Sequence, residues 1–327
     1  MKTVITLQPV VYEHAAAFIN KSPWQVSQSA RFMAEAHIAA YKVYHHSPIT
    51  VGIDIYNIEP ECYGAVVPKT SGNEVPTITD FPFSDPQELL DLAPMDITHS
   101  GRWPLLIEAA KIIRENVPED DIRIPLGGSF SIAINLCGFE NFLFFAIMNE
   151  EVAGEILLKL ARNQVSVAAQ IKEQGFGVTF FESAAAPPLL SPDMFRSLEL
   201  PALLHIITEI NSIYENKTPL IMGGDTATIA RDIAEAGAGF LICPAETDQQ
   251  LFLEQLKGLD IAVRINMDAA VLATGKMDEI SEEINRIAAL CKSFPGTLLG
   301  TGVLPYDADP NLVTRLLGYE YFVQLKA

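Results

Sequence analysis

The sequence predicts a single α/β chain folded as a (β/α)8 TIM barrel, with an N-terminal helical segment (1–48) packed on the barrel proper (49–327). Three observations predict it. Short apolar runs alternate with helix-length amphipathic segments, which calls for a parallel sheet covered by helices. Nearly every apolar run ends in a polar or glycine-rich turn, so the polar ends converge on one mouth rather than on a single switch point. Neither GxGxxG after a first strand nor GxxxxGK[ST] occurs, which removes the phosphate-loop signatures of open doubly wound sheets.

Residues 10–46 show helical spacing, with Ser22-Pro23 as N-cap and first helical residue of one segment. After Pro48, ITVGIDIYN has the apolar, β-branched character of a fully buried parallel strand. A helix over 104–116, a strand over 122–126 and two or three helices within 131–174 follow. The remaining strands are expected at 178–181, 219–222, 239–243, 261–265 and 297–300, with helices at 194–214, 226–236, 247–257 and 277–293 and a closing helix from Pro310.

Composition restricts function. The net charge of −19, from 22 Lys plus Arg against 41 Asp plus Glu, repels nucleic acid and anionic membrane surfaces. The four cysteines (Cys62, Cys137, Cys243, Cys291) form no CxxC or CxxH pattern, which fits a reducing cytoplasm. No apolar run is long enough to span a bilayer, and the N-terminus lacks the plan of a signal peptide.

The strand ends supply the candidate chemistry. The first apolar strand delivers Asp54, Asn57, Glu59, Glu61 and Cys62 in quick succession, and alternation places Asp54 opposite Ile53 and Ile55. Glu182 follows VTFF, where a carboxyl can act as general acid, base or metal ligand. In GGDTAT (223–228), Gly224 lets backbone approach a ligand, Asp225 is a candidate acid and Thr226 a candidate N-cap. Cys243 closes GFLIC with Glu246 and Asp248 nearby. Arg264, Asn266 and Asp268 alternate in RINMD, where Arg264 would grip an anionic group. Gly127-Gly128 ends another strand. His99 and the His45-His46 pair are expected to be solvated.

In order and spacing, these segments resemble the uroporphyrinogen decarboxylase superfamily, which includes cobamide-dependent methyltransferases. The resemblance runs from SPWQVSQSARFMAEAHIAAY through DIYNIEPECYGA, LGGSFSIAINLCG, LLSPDMFRSLELPAL and IMGGDTATIARDIAEAGAGF. It continues through INMDAAVLATG to GTGVLPYDADPNLV. It implies a TIM barrel. Two departures bear on activity. The Arg-rich N-terminal motif of the true decarboxylases is missing, since residues 10–50 hold only Arg31. The His-x-Cys and distant Cys that hold zinc in the coenzyme M methyltransferases are replaced by Ile221, Gly223 and Val303.

The activity implied is transfer of a methyl group from a small O-methyl or N-methyl donor to a cobalamin-carrying partner protein. Asp54, Glu182, Asp225 and Asp268 are the catalytic candidates, and Asn57, Gly127, Gly224, Arg264 and Asn266 the substrate-binding ones. A relocated zinc site would draw on Glu59, Glu61 and Cys243. One alternative is decarboxylation of a tetrapyrrole polyacid, with Asp54 on pyrrole N–H groups and Arg102 and Arg264 on carboxylates. The other is a corrinoid- or tetrapyrrole-binding protein without catalysis. A homodimer is expected from the superfamily.

Overall fold

In the computed structural model, the described residues are 2–5, 7–292, 294, 296–318 and 321–324, with backbone alone for 2–5 and 321–324. Ten strands occur among them: β1 (Lys2–Ile5), β2 (Leu7–Val10), β3 (Ile49–Thr50), β4 (Ile122–Gly127) and β5 (Gly177–Phe181), then β6 (Pro219–Ile221), β7 (Phe240–Cys243), β8 (Ala262–Asn266), β9 (Thr297–Val303) and β10 (Tyr321–Gln324). Strands β2 to β9 form one parallel sheet in the order β2-β9-β8-β7-β6-β5-β4-β3, which is sequence order wrapped round a barrel. The ladder is open between β2 and β3, where the Gln8 side chain donates to Ser47 O at 2.9 Å. Strands β1 and β10 pair antiparallel outside it.

Strands β4 to β9 lie where the apolar runs place them. The first barrel strand does not. Residues 1–48 are not a purely helical segment, because β2 joins β9 within them. Pro9 removes a ladder donor and the register shifts between Gln8 and Val10; Val10 N–H instead donates to Thr301 Oγ1 at 3.0 Å. The helical part follows as His14–Ala17, Pro23–Ser27 and Ala30–Tyr44, the second opened by a reciprocal Ser22/Gln25 capping box.

The expected strand ITVGIDIYN is also shorter than its composition suggests. The ladder ends at Thr50, and Gly52, at φ +148°, turns the chain into a short helical turn over Ile55–Asn57. Ile53, Asp54 and Ile55 therefore reach the same cavity, and strand alternation does not apply to them. Helices Trp103–Asn116, Glu150–Glu173, Leu200–Tyr214 and Met277–Cys291 lay their apolar stripes on the barrel. Among the described residues no single helix is long and apolar enough to cross a membrane.

Candidate active site

A cavity of about 770 Å³ opens at the C-terminal ends of the strands. Its wall is mainly apolar, with Ile53, Phe181, Ile221, Ile242 and Met267 below and the segment Val75–Ile78 along one side. Four carboxylates line it: Glu13, Asp54, Glu246 and Asp268. Among the described residues, no Arg, Lys or His does.

Asp54 is the deepest of these acids and is not free. Arg102 Nη1 and Nη2 donate to its two oxygens at 3.0 and 2.7 Å, Arg102 Nε donates to Glu61, and Nη1 also reaches Ser27 O at 3.0 Å. Burial pulls the Arg102 pKa down, but the Asp54 and Glu61 charges outweigh it and leave the guanidinium firmly protonated. Arg102 is consequently consumed by these bonds rather than offered to a substrate carboxylate. Asn57 donates to Asp54 Oδ2 at 2.9 Å and to Pro76 O at 2.7 Å, so it braces the wall.

Glu182 lies behind the wall. It is fully buried and accepts from Phe130 N–H at 3.0 Å, Ser131 N–H at 3.2 Å and Ser131 Oγ at 2.5 Å. Burial nevertheless pushes its pKa up to about 7. Its neighbour Glu199 ends a π-helical turn, is fully buried, and has no hydrogen-bond donor on either oxygen; burial first and the Glu182 charge second raise its pKa far above the usual range. Ser131, which does line the cavity, connects this acid pair to it.

Ser183, next along the chain, is the most directed polar group in the cavity. Its Oγ accepts from Tyr56 OH at 2.8 Å and from Gly223 N–H at 3.0 Å. With both lone pairs engaged, its one proton is left to point at a ligand. Burial keeps Tyr56 protonated. Sequence reasoning missed Ser183, Tyr56, Tyr12 and Ser131, since isolated Ser and Tyr residues have no spacing signature.

Several expected site residues lie elsewhere. Asp225 is exposed and accepts from Thr247 Oγ1 at 2.8 Å, outside the cavity lining. Thr226 makes no side-chain cap bond. Gly224 gives its N–H to Glu246 Oε1 at 2.7 Å, and its φ of +94° explains the glycine. Gly127 gives its N–H to Glu59 at 2.7 Å, so neither glycine presents backbone to a substrate. Asp268 and Asn266 do line the cavity; Asp268 also caps the next helix through Ala270 N–H at 2.8 Å. Arg264 Nε donates to Asn266 Oδ1 at 3.0 Å, but its guanidinium enters a separate chamber below.

Residues 7–316 match the uroporphyrinogen decarboxylase (URO-D) family. The chain belongs to that family. It is 28% identical over 180 residues to the methylcobamide:CoM methyltransferase MtaA of Methanosarcina barkeri, covering 54% of this chain and 51% of that protein. It is 27% identical over 223 residues to the uroporphyrinogen decarboxylase of Chlorobium phaeobacteroides, covering 63% and 62%. The matched part thus spans about half the length of the MtaA relative. A solved methyltransferase from Methanosarcina mazei superposes with a TM-score of 0.81 over 96% of this chain and 92% of its own, at 20% identity, which establishes the shared fold.

Within the family frame, Ile221, Gly223 and Val303 all line the cavity, where the resemblance puts zinc ligands, and none has a ligating side chain. The relocated zinc set is not assembled either. Among the described residues, no three His, Cys, Asp or Glu side chains are grouped to hold a metal ion. Glu59 accepts from Gly127 N–H and from Gln164 Nε2 at 2.8 Å, and Glu61 is paired with Arg102. Cys243 is fully buried, and burial holds its thiol protonated. These residues do not fit zinc.

Proposed function

We propose that this chain is a methyltransferase of the corrinoid-linked kind, taking a methyl group from a small neutral or cationic O-methyl or N-methyl donor. The observation that supports it is the charge of the cavity. Four carboxylates, of which Asp54 is paired with Arg102, and among the described residues no Arg, Lys or His line a mainly apolar space of about 770 Å³. A tetrapyrrole polyacid would bring several carboxylates into that field with no free guanidinium to receive them. A small methylated donor meets no such penalty, and a cationic one gains from it. Arg102, which reaches the cavity-lining Asp54, is already held by Asp54 and Glu61, and Arg264 lines the separate lower chamber.

The chain's own contribution is to bind, orient and stabilise the departing atom. The Ser183 hydroxyl, fixed by Tyr56 and Gly223, donates to the heteroatom that loses the methyl group. Ser131, backed by Glu182, and the Oδ1 of Asn135 orient the rest of the donor. Exposed Leu189 and Val303 at the cavity lip provide apolar surface for the partner protein, whose corrinoid supplies the methyl acceptor. Phe144, Ile147 and Met148, exposed on the helix Phe139–Met148, are the surface a homodimer would cover.

The test is a spectroscopic screen for methylation of free reduced cobalamin with methoxylated aromatics, methylamines and betaines, beside a CO2-release assay with a tetrapyrrole polyacid. Methylcobalamin formation with a neutral or cationic donor is the expected result. Silence with every donor, together with CO2 release from the polyacid, would replace this reading by decarboxylation.

A further inference from the structure

The barrel holds a second chamber, of about 260 Å³, at the N-terminal ends of its strands, back to back with the mouth cavity across Tyr12 and Ile221, which line both. Its polar inventory is the reverse of the mouth's. Arg264, Arg123, Lys217 and His46 line it, and among the described residues no Asp or Glu does. We propose that this lower chamber is a binding site for a small oxyanion, a phosphate or carboxylate group gripped by Arg264.

Arg264 is only 8% exposed, and its one hydrogen bond among the described residues runs from Nε to Asn266 Oδ1. Among the described residues no carboxylate pairs with it; the Phe240 ring lies 5.8 Å from the guanidinium carbon, and Tyr12 acts on it electrostatically. An uncompensated charge at that depth is costly unless a counter-charge arrives. The contrast with Arg102 is direct: carboxylates hold that guanidinium's pKa up, whereas burial lowers that of Arg264. With Nε used, the two terminal nitrogens present the planar fork that matches an oxyanion.

Two further groups in the chamber wall lack partners. Thr179 Oγ1 is buried without a hydrogen bond, and so are both ring nitrogens of His46, a residue 7% exposed. Burial keeps that ring neutral, so it has one N–H to donate. Buried polar atoms of folded proteins are nearly always satisfied, and an oxyanion in the chamber would offer Thr179 Oγ1 and one ring nitrogen of His46 the acceptor they lack. Arg123 at its edge is paired with Asp121, and the exposed Lys217 adds positive charge toward an incoming anion.

The full chain is titrated with inorganic phosphate and, separately, with malonate, against sodium chloride at matched ionic strength, by calorimetry and thermal melting. Saturable heat and a Tm rise beyond the chloride control are expected. A response to phosphate alone assigns the site to phosphate groups, and a response to malonate alone to carboxylates. Arg264→Met should weaken binding by about tenfold or more, while melting no lower than the wild type in chloride because it removes a buried, unpaired charge. Thr179→Val, of nearly the same shape, should weaken binding severalfold and carries the test if Arg264→Met does not fold. No saturable response to either anion, or unchanged affinity in the variants, overturns the proposal.

Discussion

Glu182 and Glu199 are both fully buried, and the Glu182 charge acts on Glu199, yet Phe130 N–H, Ser131 N–H and Ser131 Oγ all donate to Glu182 and, among the described residues, no donor reaches Glu199. Donors to a carboxylate favour its ionised form, and bare burial favours the neutral acid. Glu199 therefore keeps its proton, and Glu182 is the member that ionises as pH rises through about 7.

The pair makes stability depend on pH with a definite sign. Both folded pKa values are raised above the unfolded glutamate value, so between about 4.5 and 7 the native state holds more protons than the unfolded one. The stabilisation is complete below about 4.5 and is lost as pH rises, by at most about 1.4 kcal/mol per pH unit for each proton of difference. Urea midpoints should fall between pH 5 and 8 in the wild type. Glu199→Gln, which cannot ionise, should flatten the slope and stand above the wild type at pH 8. An unchanged slope would show that the pair ionises freely in the fold.

Arg102 and Asp54 test a different balance. Removing one member of a buried pair strands the other, at a cost of about 3 kcal/mol or more. Asp54→Ala should lose that much in urea unfolding, even though Glu61 retains part of the guanidinium. The double change Asp54→Leu with Arg102→Met should cost less than the sum of the two single changes. Additive costs would mean that the pair is solvated and that Arg102 is available to a substrate.

Much of this architecture was legible in the sequence. Strands β4 to β9 are apolar runs ended by polar or glycine residues, and a fully buried parallel strand has no other way to look. Strand β2 was not legible, because four residues containing Pro9 have neither length nor periodicity. The placement of Arg264 shows where local reasoning stops. Alternation correctly puts it on the same face as Asn266, and the two are hydrogen-bonded. A shift of two residues along a strand is about 6.6 Å, however, and that step carries the guanidinium from the mouth into the lower chamber. The partners of Asp54 and Glu182, Arg102 and Glu199, lie on distant elements that no spacing rule connects.

Glu246 was noted only as a neighbour of Cys243, but it faces the cavity and fixes the turn after β6 through Gly224 N–H. Glu246→Gln keeps an acceptor and should change kcat/KM for a neutral donor by about twofold or less. Glu246→Ala releases the turn that also positions Ser183 through Gly223, and a loss of about five- to tenfold is expected, in line with a partly solvated charge-assisted bond of roughly 1 kcal/mol. For a cationic donor, Glu246→Gln should raise KM as well. Equal behaviour of the two variants with both donor types would remove Glu246 from the site.

Two glycines make opposite predictions from the same substitution. A Cβ on Gly128 would lie 2.0 Å from Glu182 Oε2 and 2.5 Å from its Cδ, so the buried carboxyl would have to leave its place against Ser131. Those bonds have no substitute at that depth, and Gly128→Ala should destabilise by about 3 kcal/mol or more, with loss of whatever activity depends on Ser131. Gly154 sits inside the helix Glu150–Glu173 and a Cβ there meets nothing within 4 Å. Gly154→Ala should stabilise by about 0.5–1 kcal/mol, because alanine restricts the unfolded chain and suits the helix. The pair is read in one set of urea titrations, and a well-tolerated Gly128→Ala would mean that Glu182 is not held against the turn after β4.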